Sequence, residues 1–269
     1  MKKVLKFGLL ALLVLALAVA AAGCGGSEPP KEEAKEPGGD QGQTGKKLVV
    51  GSDTTFAPFE FTDAATGKYI GFDVELIEAV AKEAGYELDF RSMAFDGLIP
   101  ALQTSQIDAA ISSITITDER KQVVNFTDPY YKSGLIVAVQ AKNDDIKSFD
   151  DLKGKKIAVQ SGTTGAKMAE KIPEAKITYF TNTDQALMEL KNGAVDAVIN
   201  DYPVSAYFVK QGNDDVKLVG DILSAEEYGI AVPKDKTEVL ENLNAALKTL
   251  KENGEYATIY KKWFGEEPK

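Results

Sequence analysis

Apolar positions along the chain follow two spacings, one typical of strands and one typical of helices. Short runs rich in β-branched residues predict buried strands, namely KLVVGS, ELDFRSM, IDAAISS, SGLIVAVQ and KIAVQSG. The segments GFDVELIEAVAKEAGY and DGLIPALQTSQ predict helices, and Gly85 marks the end of the first. The apolar face of that first helix is formed by Phe72, Leu76, Ala79, Val80 and Ala84. A last helical stretch, residues 236–265, has a leucine stripe of Leu240, Leu243, Leu247 and Leu250. Strands that alternate with helices indicate an α/β fold with mostly parallel pairing.

Two pairs of segments within the chain are similar to each other. LQTSQIDAAISS, residues 102–113, aligns without gaps on LKNGAVDAVIND, residues 190–201. VVGSDTT, residues 49–55, aligns on AVQSGTT, residues 158–164. Because both pairs occur in the same order, they predict two lobes of related architecture. In open α/β sheets, ligands bind beyond the carboxyl ends of the strands. The predicted binding site therefore lies where four strand ends meet, at Ser52–Asp53, Ser112–Ser113, Gln160–Thr164 and Asn200–Asp201.

Composition and charge exclude several classes of function. The 269 residues are 44% hydrophobic and 27% charged, which is typical of a folded chain, and the formal net charge is −10. So negative a chain is a poor candidate for nucleic acid, and we expect no such partner. The sequence has no histidine, which excludes serine–histidine triads and nearly all catalytic zinc sites. Its single cysteine provides neither an internal disulfide nor a metal cluster, so we expect no metal and no cofactor.

The first 45 residues have the composition of an export signal followed by a tether. MKKVLKFG is basic, LLALLVLALAVAAAG is apolar but short for a membrane span, and the run continues into AAGC. This pattern resembles a bacterial lipoprotein signal, which predicts residues 1–23 as a signal peptide and Cys24 as the site of lipidation. Ala21 stands where leucine is commoner, so ordinary secretory cleavage, with Cys24 as a free cysteine, stays an alternative. Residues 24–45 are rich in Gly, Pro, Glu and Lys and predict a disordered tether, which leaves the folded part outside the cytoplasm.

The stretch ISSITITDER, residues 111–120, changes from apolar to hydroxyl-bearing to charged side chains. Thr117 is a predicted N-cap for a short helix whose first turn contains Arg120, although a cation there is mildly unfavourable. Hydroxyls, free backbone N–H groups and a guanidinium together are what a carboxylate needs. The alternative, a surface ion pair between Arg120 and Asp118, agrees equally well with the spacing alone. Because the partner strand ends in Asp201, one lobe offers a cation and the other an anion, which favours a zwitterion such as an α-amino acid.

The folded part, residues 46–269, resembles the solute-binding proteins of bacterial ABC importers for polar amino acids, and among these the binders of glutamine most. The resemblance lies in LVVGSDTTFAPFEF, GKYIGFDVEL, LIPALQT, ITITDERK, DPYYKSGLIVAV, YGIAVPK and LKENGEYATIYKKWFGEEPK, at matching spacing. It implies the type II two-lobe α/β fold of periplasmic binding proteins, in which two crossover strands form a hinge. Lobe 1 would comprise residues 46–133 and 225–269, and lobe 2, residues 134–224, would be inserted between them. YYKSG and SAEEYG would be the crossovers.

The resemblance also implies how the two charged groups of an amino acid are held. Arg120 would hold the α-carboxylate, together with backbone N–H groups at Thr115 and near Thr164. Asp201 would receive the α-ammonium, with Ser113 and Thr115 as further acceptors. The alternatives are that Asp201 merely caps the helix that follows it and that SGTTG is only a turn.

For the ligand's side chain, the resemblance implies a sandwich between Phe56 and Phe95 with Asp53 at the far end. As alternatives, the two phenylalanines are core aromatics and Asp53 caps the segment TTFAPF. The complete predicted ligand-binding set is Asp53, Phe56, Phe95, Ser112, Ser113, Thr115, Arg120, Gln160, Thr163, Thr164, Asn200 and Asp201.

Two positions depart from the glutamine binders that the chain resembles. Gln160 stands where they have lysine, and Asn200 stands where they have histidine. Neutral Gln160 leaves Asp53 without a balancing cation. We therefore expect a site that takes glutamine, as the resemblance implies, and that also accepts arginine.

The family implies a polar L-amino acid as ligand and a membrane permease dimer with its ATPases as partner. It also implies a monomer that reaches the membrane through its lipid anchor alone. Two other classes of function stay open: a dehydratase on the same fold, and a ligand-sensing module that reports to a receptor. The expected pocket has no His, Cys or Lys, which favours binding over catalysis.

Overall fold

The structure is a computed structural model that describes residues 46–268. The predicted signal peptide, Cys24 and the tether lie outside the described residues. The strands are β1 (Lys46–Ser52), β2 (Thr55–Phe56), β3 (Glu60–Thr62), β4 (Tyr69–Ile70), β5 (Tyr86–Ser92), β6 (Ala109–Ala110), β7 (Val124–Phe126), β8 (Tyr131–Ser133), β9 (Leu135–Gln140), β10 (Lys156–Gln160), β11 (Lys176–Phe180), β12 (Ala197–Asp201), β13 (Val216–Val219), β14 (Glu226–Tyr228) and β15 (Ala231–Pro233). The helices are α1 (Phe72–Glu83), α2 (Phe95–Gln103), α3 (Asp118–Val123), α4 (Thr164–Ala169), α5 (Thr183–Lys191), α6 (Tyr202–Lys210), α7 (Thr237–Glu252) and α8 (Glu255–Phe264), and a 3₁₀ helix spans Phe149–Leu152. Within residues 46–268, none of the helices combines the length and the apolar character that a membrane-spanning segment requires.

The first of two five-stranded sheets has the strand order β5-β1-β6-β15-β7. β1 runs parallel to β5 and β6, whereas β15 pairs antiparallel with β6 and β7. Both faces of this sheet are covered by apolar side chains. Val50 and Ala109 pack in the cluster that includes α1 and α7, and Ala110 and Ala231 pack in the cluster that includes α2. The sheet is therefore the middle layer of three.

The second sheet repeats this plan in the order β11-β10-β12-β9-β13. β10 runs parallel to β11 and β12, and β9 pairs antiparallel with β12 and β13. Val159 and Ile199 pack against α4 on one face, while Ala158 and Val198 pack against α5 on the other. The two pairs of similar segments occupy equivalent strands, β1 with β10 and β6 with β12. The predicted relation between two lobes is thus present in the strand order.

A two-stranded ribbon of β8 and β14 joins the sheets. The chain leaves the first sheet at β7, enters the second through β8, and returns from β13 through β14 to β15. The predicted crossovers YYKSG and SAEEYG contain these two strands. Tyr131 of β8 stacks on Tyr228 of β14, with ring centroids 5.6 Å apart, and on Tyr260 of α8, with centroids 5.7 Å apart. Aromatic packing therefore holds the ribbon against the end of the chain.

Two helical predictions differ from the structure in detail. Helix α1 ends at Glu83, just before Gly85, as predicted, but its buried face includes Ile77 and Ala81, whereas Ala79 and Ala84 are half-buried. The stretch 236–265 is not one helix but two, because Gly254 takes a left-handed conformation with φ of 86°. That turn lets α8 fold back and place its tyrosines in the same apolar cluster as α1.

Gly134, between β8 and β9, lies directly against the returning passage of the chain at Ser224. A methyl group added there would come 2.2 Å from the carbonyl oxygen of Ser224 and 2.4 Å from Cγ2 of Ile222. Because the first of these atoms is backbone, the two passages would have to separate. We expect Gly134→Ala to lower the free energy of unfolding by roughly 1–3 kcal/mol, measured by urea denaturation.

Gly97→Ala is the matched control for that measurement. Gly97 lies inside α2. Apart from its chain neighbours and the backbone of that helix, a methyl group added there meets no atom within 4 Å. Alanine also favours a helix over glycine, so this variant should be as stable as the parent or more stable. Equal unfolding midpoints for the two variants would contradict the close approach at Gly134.

Candidate functional site

A narrow cavity, with about 300 Å³ of space when its opening to solvent is included, lies between the carboxyl ends of the strands of the two sheets. One side is formed by residues that follow β1 and β6 of the first sheet, by β2 and β3 of a separate three-stranded sheet (β2-β3-β4), and by the starts of α2 and α3. The other side is formed by the ends of β10 and β12 of the second sheet and the start of α4. This is where ligands bind in open α/β sheets. The wall is formed by Asp53, Phe56, Glu60, Phe95, Ser112, Ser113, Thr115, Arg120, Gln160, Thr163, Thr164 and Asp201.

A larger groove, about 1340 Å³ including its open mouth, lies beside β8 and is lined mainly by tyrosines and prolines. Its one acid, Glu266, is exposed, whereas the smaller cavity is lined by three buried acids and one arginine. Size alone is therefore a poor guide here, and the chemistry of the wall identifies the smaller cavity as the candidate site.

The structure brings eleven of the twelve predicted binding residues to this cavity, and the exception is Asn200. Asn200 and Asp201 are adjacent on β12, so their side chains point to opposite faces of the sheet. The Nδ2 atom of Asn200 lies 3.4 Å from Oγ of Ser205, on the side away from the cavity. At the end of a strand only every second side chain can face the ligand, and on β12 that side chain belongs to Asp201.

Glu60 lines the cavity although the predicted set omits it. It is fully buried and lies on β3, in a hairpin whose strands are too short for any periodic pattern. The sequence signal for Glu60 is that it is the single acid in the otherwise apolar run FAPFEF. An acid buried with such a run requires hydrogen-bond partners, which polar groups at a site can provide. Ser112 Oγ donates to Oε1 of Glu60 at 3.0 Å, and Ser113 Oγ donates to Oε2 at 3.4 Å.

Arg120 projects from the first turn of α3, where Thr117 caps the helix by accepting the N–H of Arg120 at 3.2 Å. The guanidinium donates to the carbonyl of Thr115 at 2.8 Å and to the carbonyl of Gly162 at 3.0 Å. These carbonyls belong to segments that follow strands of different sheets, so Arg120 spans the cavity. Burial lowers the pKa of Arg120 and the charge of Glu226 opposes that shift, but a guanidinium stays charged throughout the physiological range.

Asp201 is the anionic group on the second sheet's side of the cavity. Its Oδ1 accepts hydrogen bonds from the Tyr228 hydroxyl at 2.5 Å and the Ser133 hydroxyl at 3.4 Å, both from the crossover ribbon. Burial, and after it the charge of Glu226, raise the pKa of Asp201 to about 7. A cation beside Asp201 would reverse that shift by stabilising the charged form.

The crossover strand β14 takes part in the site through Glu226, which the sequence reasoning treated only as part of a connection. Its Oε2 accepts the hydroxyl of Thr115 at 2.8 Å and the hydroxyl of Thr164 at 3.2 Å. The two threonines come from opposite sides of the cavity. Glu226 therefore links both sides to the ribbon that joins the sheets.

Asp53 occupies the other end of the cavity, after β1. Its carboxylate accepts from the Thr55 hydroxyl at 2.7 Å and from Nε2 of Gln160 at 2.5 Å. Gln160 is held in turn by Thr183, whose hydroxyl donates to Oε1 at 2.7 Å. Burial raises the pKa of Asp53, while the Thr55 and Gln160 bonds oppose the shift. Gln160 thus satisfies Asp53 by a hydrogen bond without neutralising its charge.

Acids outnumber cations at this end of the cavity. Asp53 and Glu60 both line the wall, and among the ion pairs of residues 46–268 neither has a lysine or arginine within 4 Å. Phe95 presents its ring to the guanidinium of Arg120 at 5.3 Å, and Phe56 is part of the apolar cluster as well as the wall. Within the described part of the chain, no group of His, Cys, Asp and Glu is arranged to hold a metal ion.

The purely structural roles considered for Asp201, Arg120 and Thr163 have different outcomes. Asp201 stands at the N-cap position of α6 but makes no capping hydrogen bond, and no ion pair joins Arg120 to Asp118 within residues 46–268. Thr163, in contrast, does cap α4 by accepting the N–H of Ala166 at 3.1 Å, so it serves the local turn as well as the wall.

Comparison with known proteins agrees with this geometry. A model of the bacterial extracellular solute-binding proteins, family 3, matches residues 48–266, which include both sheets and the ribbon. A probable histidine-binding protein of Neisseria gonorrhoeae is 38% identical over 265 residues, covering 96% of this chain and 94% of that protein.

Two solved structures extend the comparison to three dimensions. The arginine-, lysine-, histidine-binding protein of Geobacillus stearothermophilus superposes with a TM-score of 0.79 at 44% identity, over 83% of this chain and 97% of that one. An ancestral arginine-binding protein bound to glutamine superposes with a TM-score of 0.76 at 48% identity, over 82% and 98%. Two sheets of matching strand order, joined by a crossover ribbon, are the type II periplasmic-binding fold, and the chain belongs to the bacterial extracellular solute-binding proteins, family 3.

Proposed function

We propose that this chain captures a polar L-amino acid outside the cytoplasm and delivers it to the permease of an ABC importer. The observation that supports this most directly is the arrangement of charge in the cavity. A guanidinium and a carboxylate lie on its opposite sides, and two further acids lie at one end. That arrangement matches an α-amino acid whose side chain ends in a cation or an amide.

The first part of the proposal concerns the groups that all amino acids share. Arg120 has donors beyond those that bind Thr115 and Gly162, and a carboxylate fits the fork of a guanidinium. Burial raises the pKa of Asp201, and an ammonium beside it would stabilise its charged form. Ser113 and Thr115 line the same wall and supply hydroxyl acceptors for that ammonium.

The second part concerns the ligand's side chain, for which we propose arginine ahead of glutamine. A cation about 4 Å from Asp53 gains roughly 4 kcal/mol at an effective dielectric constant near 20, before desolvation. An amide gains only a hydrogen bond to a charged acceptor, roughly 1.5–3 kcal/mol. Glu60 adds a second acid to the same end, and Phe56 and Phe95 provide flat faces for a guanidinium. The names of the solved relatives, with arginine, lysine, histidine and glutamine as ligands, are consistent with this order.

The third part concerns motion. We propose that residues 46–133 and 225–269 form one lobe, that residues 134–224 form the other, and that β8 and β14 form their hinge. Contacts across the cavity include the hydrogen bond from Gln160 to Asp53 and the ion pair between Lys167 and Glu119. A ligand held from both sides favours the state in which both sides are close.

For the partners, we propose a permease dimer with its ATPases, a monomeric chain in solution, and a lipid anchor at Cys24 as the attachment to the outer face of the membrane. We propose no cofactor. These follow from the family and from the first 45 residues of the sequence.

A dehydratase on the same fold is a second candidate, because Asp53 and Asp201 both have raised pKa values in a closed cavity. The wall has no His, Cys or Lys among its twelve residues, and the named relatives are binding proteins. We therefore place binding first. If the protein formed a product from a cyclic dienol acid, we would place dehydration ahead of binding.

Removing either charged partner of the amino-acid backbone should nearly abolish binding. Loss of one member of a buried ion pair costs about 3–5 kcal/mol, a factor of roughly 10² to 10³ or more in affinity. We expect this for Arg120→Ala and Asp201→Ala, measured by calorimetry against the twenty amino acids. Arg91→Ala, which removes an exposed cation paired with Asp89, is the control and should bind normally. Normal binding by the Arg120 or Asp201 variant would show that the residue serves only the local structure.

Neutralising Asp53 or Glu60 should change the relative affinity for arginine and glutamine. Asp53→Asn and Glu60→Gln should each weaken arginine about tenfold or more beyond any effect on glutamine, because only arginine loses an ionic partner. Gln160→Lys should act in the same direction by placing a cation beside Asp53. Glu238→Gln, an exposed acid on α7, is the control. Tight binding of glutamine by the parent with no arginine binding at millimolar concentration would refute the proposed preference.

Ligand should also make the protein more compact. Small-angle scattering from residues 46–269 should show a smaller radius of gyration with arginine than without it, because the ligand contacts both lobes. Glycine, which lacks the side chain that would reach Asp53, serves as a matched comparison. An unchanged radius with every amino acid that gives a binding heat would contradict the hinge.

A further inference from the structure

Two fully buried carboxyl groups, Glu60 and Asp73, lie next to each other at the edge of the cavity. Glu60 lines the cavity, whereas Asp73, in the first turn of α1, does not. Both side chains are 0% exposed, and both accept hydrogen bonds from Ser113, whose hydroxyl donates to Glu60 at 3.4 Å and whose backbone N–H donates to Asp73 at 2.8 Å. Two carboxylates cannot donate to each other, so a direct bond between these neighbours requires a proton.

The hydrogen bonds of Asp73 indicate which of its oxygens would hold that proton. Its Oδ2 accepts the backbone N–H of Ser113 at 2.8 Å and the hydroxyl of Tyr130 at 2.7 Å. Its Oδ1 is buried and has no N–H or O–H donor among the described residues. A buried carboxylate oxygen without a donor is costly, and a proton shared with Glu60 supplies the missing bond.

The charges around the pair favour keeping that proton. The titratable groups that face it are Asp53 after β1, Tyr130 before β8 and Tyr256 on α8. None of these is a cation, and no lysine or arginine among residues 46–268 forms an ion pair with either acid. Two neighbouring carboxyl groups that are both fully buried cannot both ionise without a large cost in free energy.

We propose that Glu60 and Asp73 share one proton in the ligand-free protein and release it to solvent when a cationic side chain enters the cavity beside Glu60. The proposal rests on the function proposed above and names Asp73 as a positioning residue that reports the charge of the ligand. A guanidinium beside Glu60 replaces the proton as the positive partner, so the proton leaves and both acids become carboxylates. A neutral amide provides no such replacement, and the proton stays.

The pKa shifts agree with the geometry. Burial and the charge of Asp73 raise the pKa of Glu60 well above its ordinary value, and burial raises the pKa of Asp73 to about 6. Near neutral pH the pair therefore retains a proton that a cation can displace. Binding that releases a proton is favoured as pH rises, by about tenfold per pH unit for each proton released.

Asp201 complicates any single measurement, because an α-ammonium beside it also displaces a proton. Its pKa of about 7 means that it is partly protonated near neutral pH before ligand arrives. Every α-amino acid has this ammonium, so the contribution of Asp201 is the same for arginine and glutamine. The difference between the two ligands isolates the Glu60–Asp73 pair.

The test is calorimetry of arginine and of glutamine at one near-neutral pH in buffers of different ionisation enthalpy. The slope of the binding heat against that enthalpy gives the number of protons released. We expect arginine to release up to one proton more than glutamine. Equal numbers for the two ligands would overturn the shared proton while leaving amino-acid binding intact. No binding heat with either ligand would overturn both proposals.

Two substitutions outside the cavity wall sharpen the result. In Asp73→Asn, an amide can donate to Glu60 without a proton, so the difference between arginine and glutamine should fall towards zero while glutamine still binds. Tyr130→Phe removes a donor that stabilises charged Asp73, so it should keep the difference and move it to higher pH. A merely structural role for Asp73 would weaken both ligands alike and leave the difference unchanged, which would overturn the proposal.

Discussion

Acids buried beside one another without a cation are the constraint on which this structure depends. A carboxylate that leaves water loses a large hydration free energy, which is recovered only through hydrogen bonds or opposite charge. Asp53, Glu60, Asp201 and Glu226 are all buried at or near the cavity, and among the described residues of its wall Arg120 is the one basic side chain. Hydroxyl and amide donors from both sheets satisfy these acids, so the same bonds that make them tolerable also hold the strand ends together. The cavity therefore has an excess of acids, which is why we propose a positively charged ligand for it.

The crossover ribbon belongs to the site as much as to the hinge. Tyr228 donates to Asp201, and Glu226 receives the hydroxyls of threonines on both sides of the cavity. Rotation about β14 therefore changes the environment of both acids. Tyr130, which immediately precedes β8, does the same for Asp73. Single hydrogen bonds thus connect the ribbon, which we propose as the hinge, to acids at or beside the cavity.

Much of the cavity wall could be predicted because internal similarity and strand ends are local signals. The match between VVGSDTT and AVQSGTT locates β1 and β10, and the rule that ligands bind beyond strand ends then places Asp53 and Gln160 on the wall. What escapes prediction depends on tertiary detail. Glu60 reaches the cavity through a hairpin too short to show a period, and Asn200 turns away because neighbouring residues of a strand alternate. The break at Gly254 has a local signal, because a left-handed glycine ends a helix just as Gly85 does, but the apolar pattern continues on both sides of it and hides the division.

The position of β15 has a consequence for how the molecule is made. β15 (Ala231–Pro233) lies between β6 and β7 in the first sheet, although about a hundred residues, including the whole second sheet, separate it from them in the chain. During synthesis from the amino terminus, every strand of the second sheet leaves the ribosome before β15 does. The second sheet can therefore complete its hydrogen bonds while the first still has a gap at an inner position. The half of the molecule that is begun first is the half that is finished last.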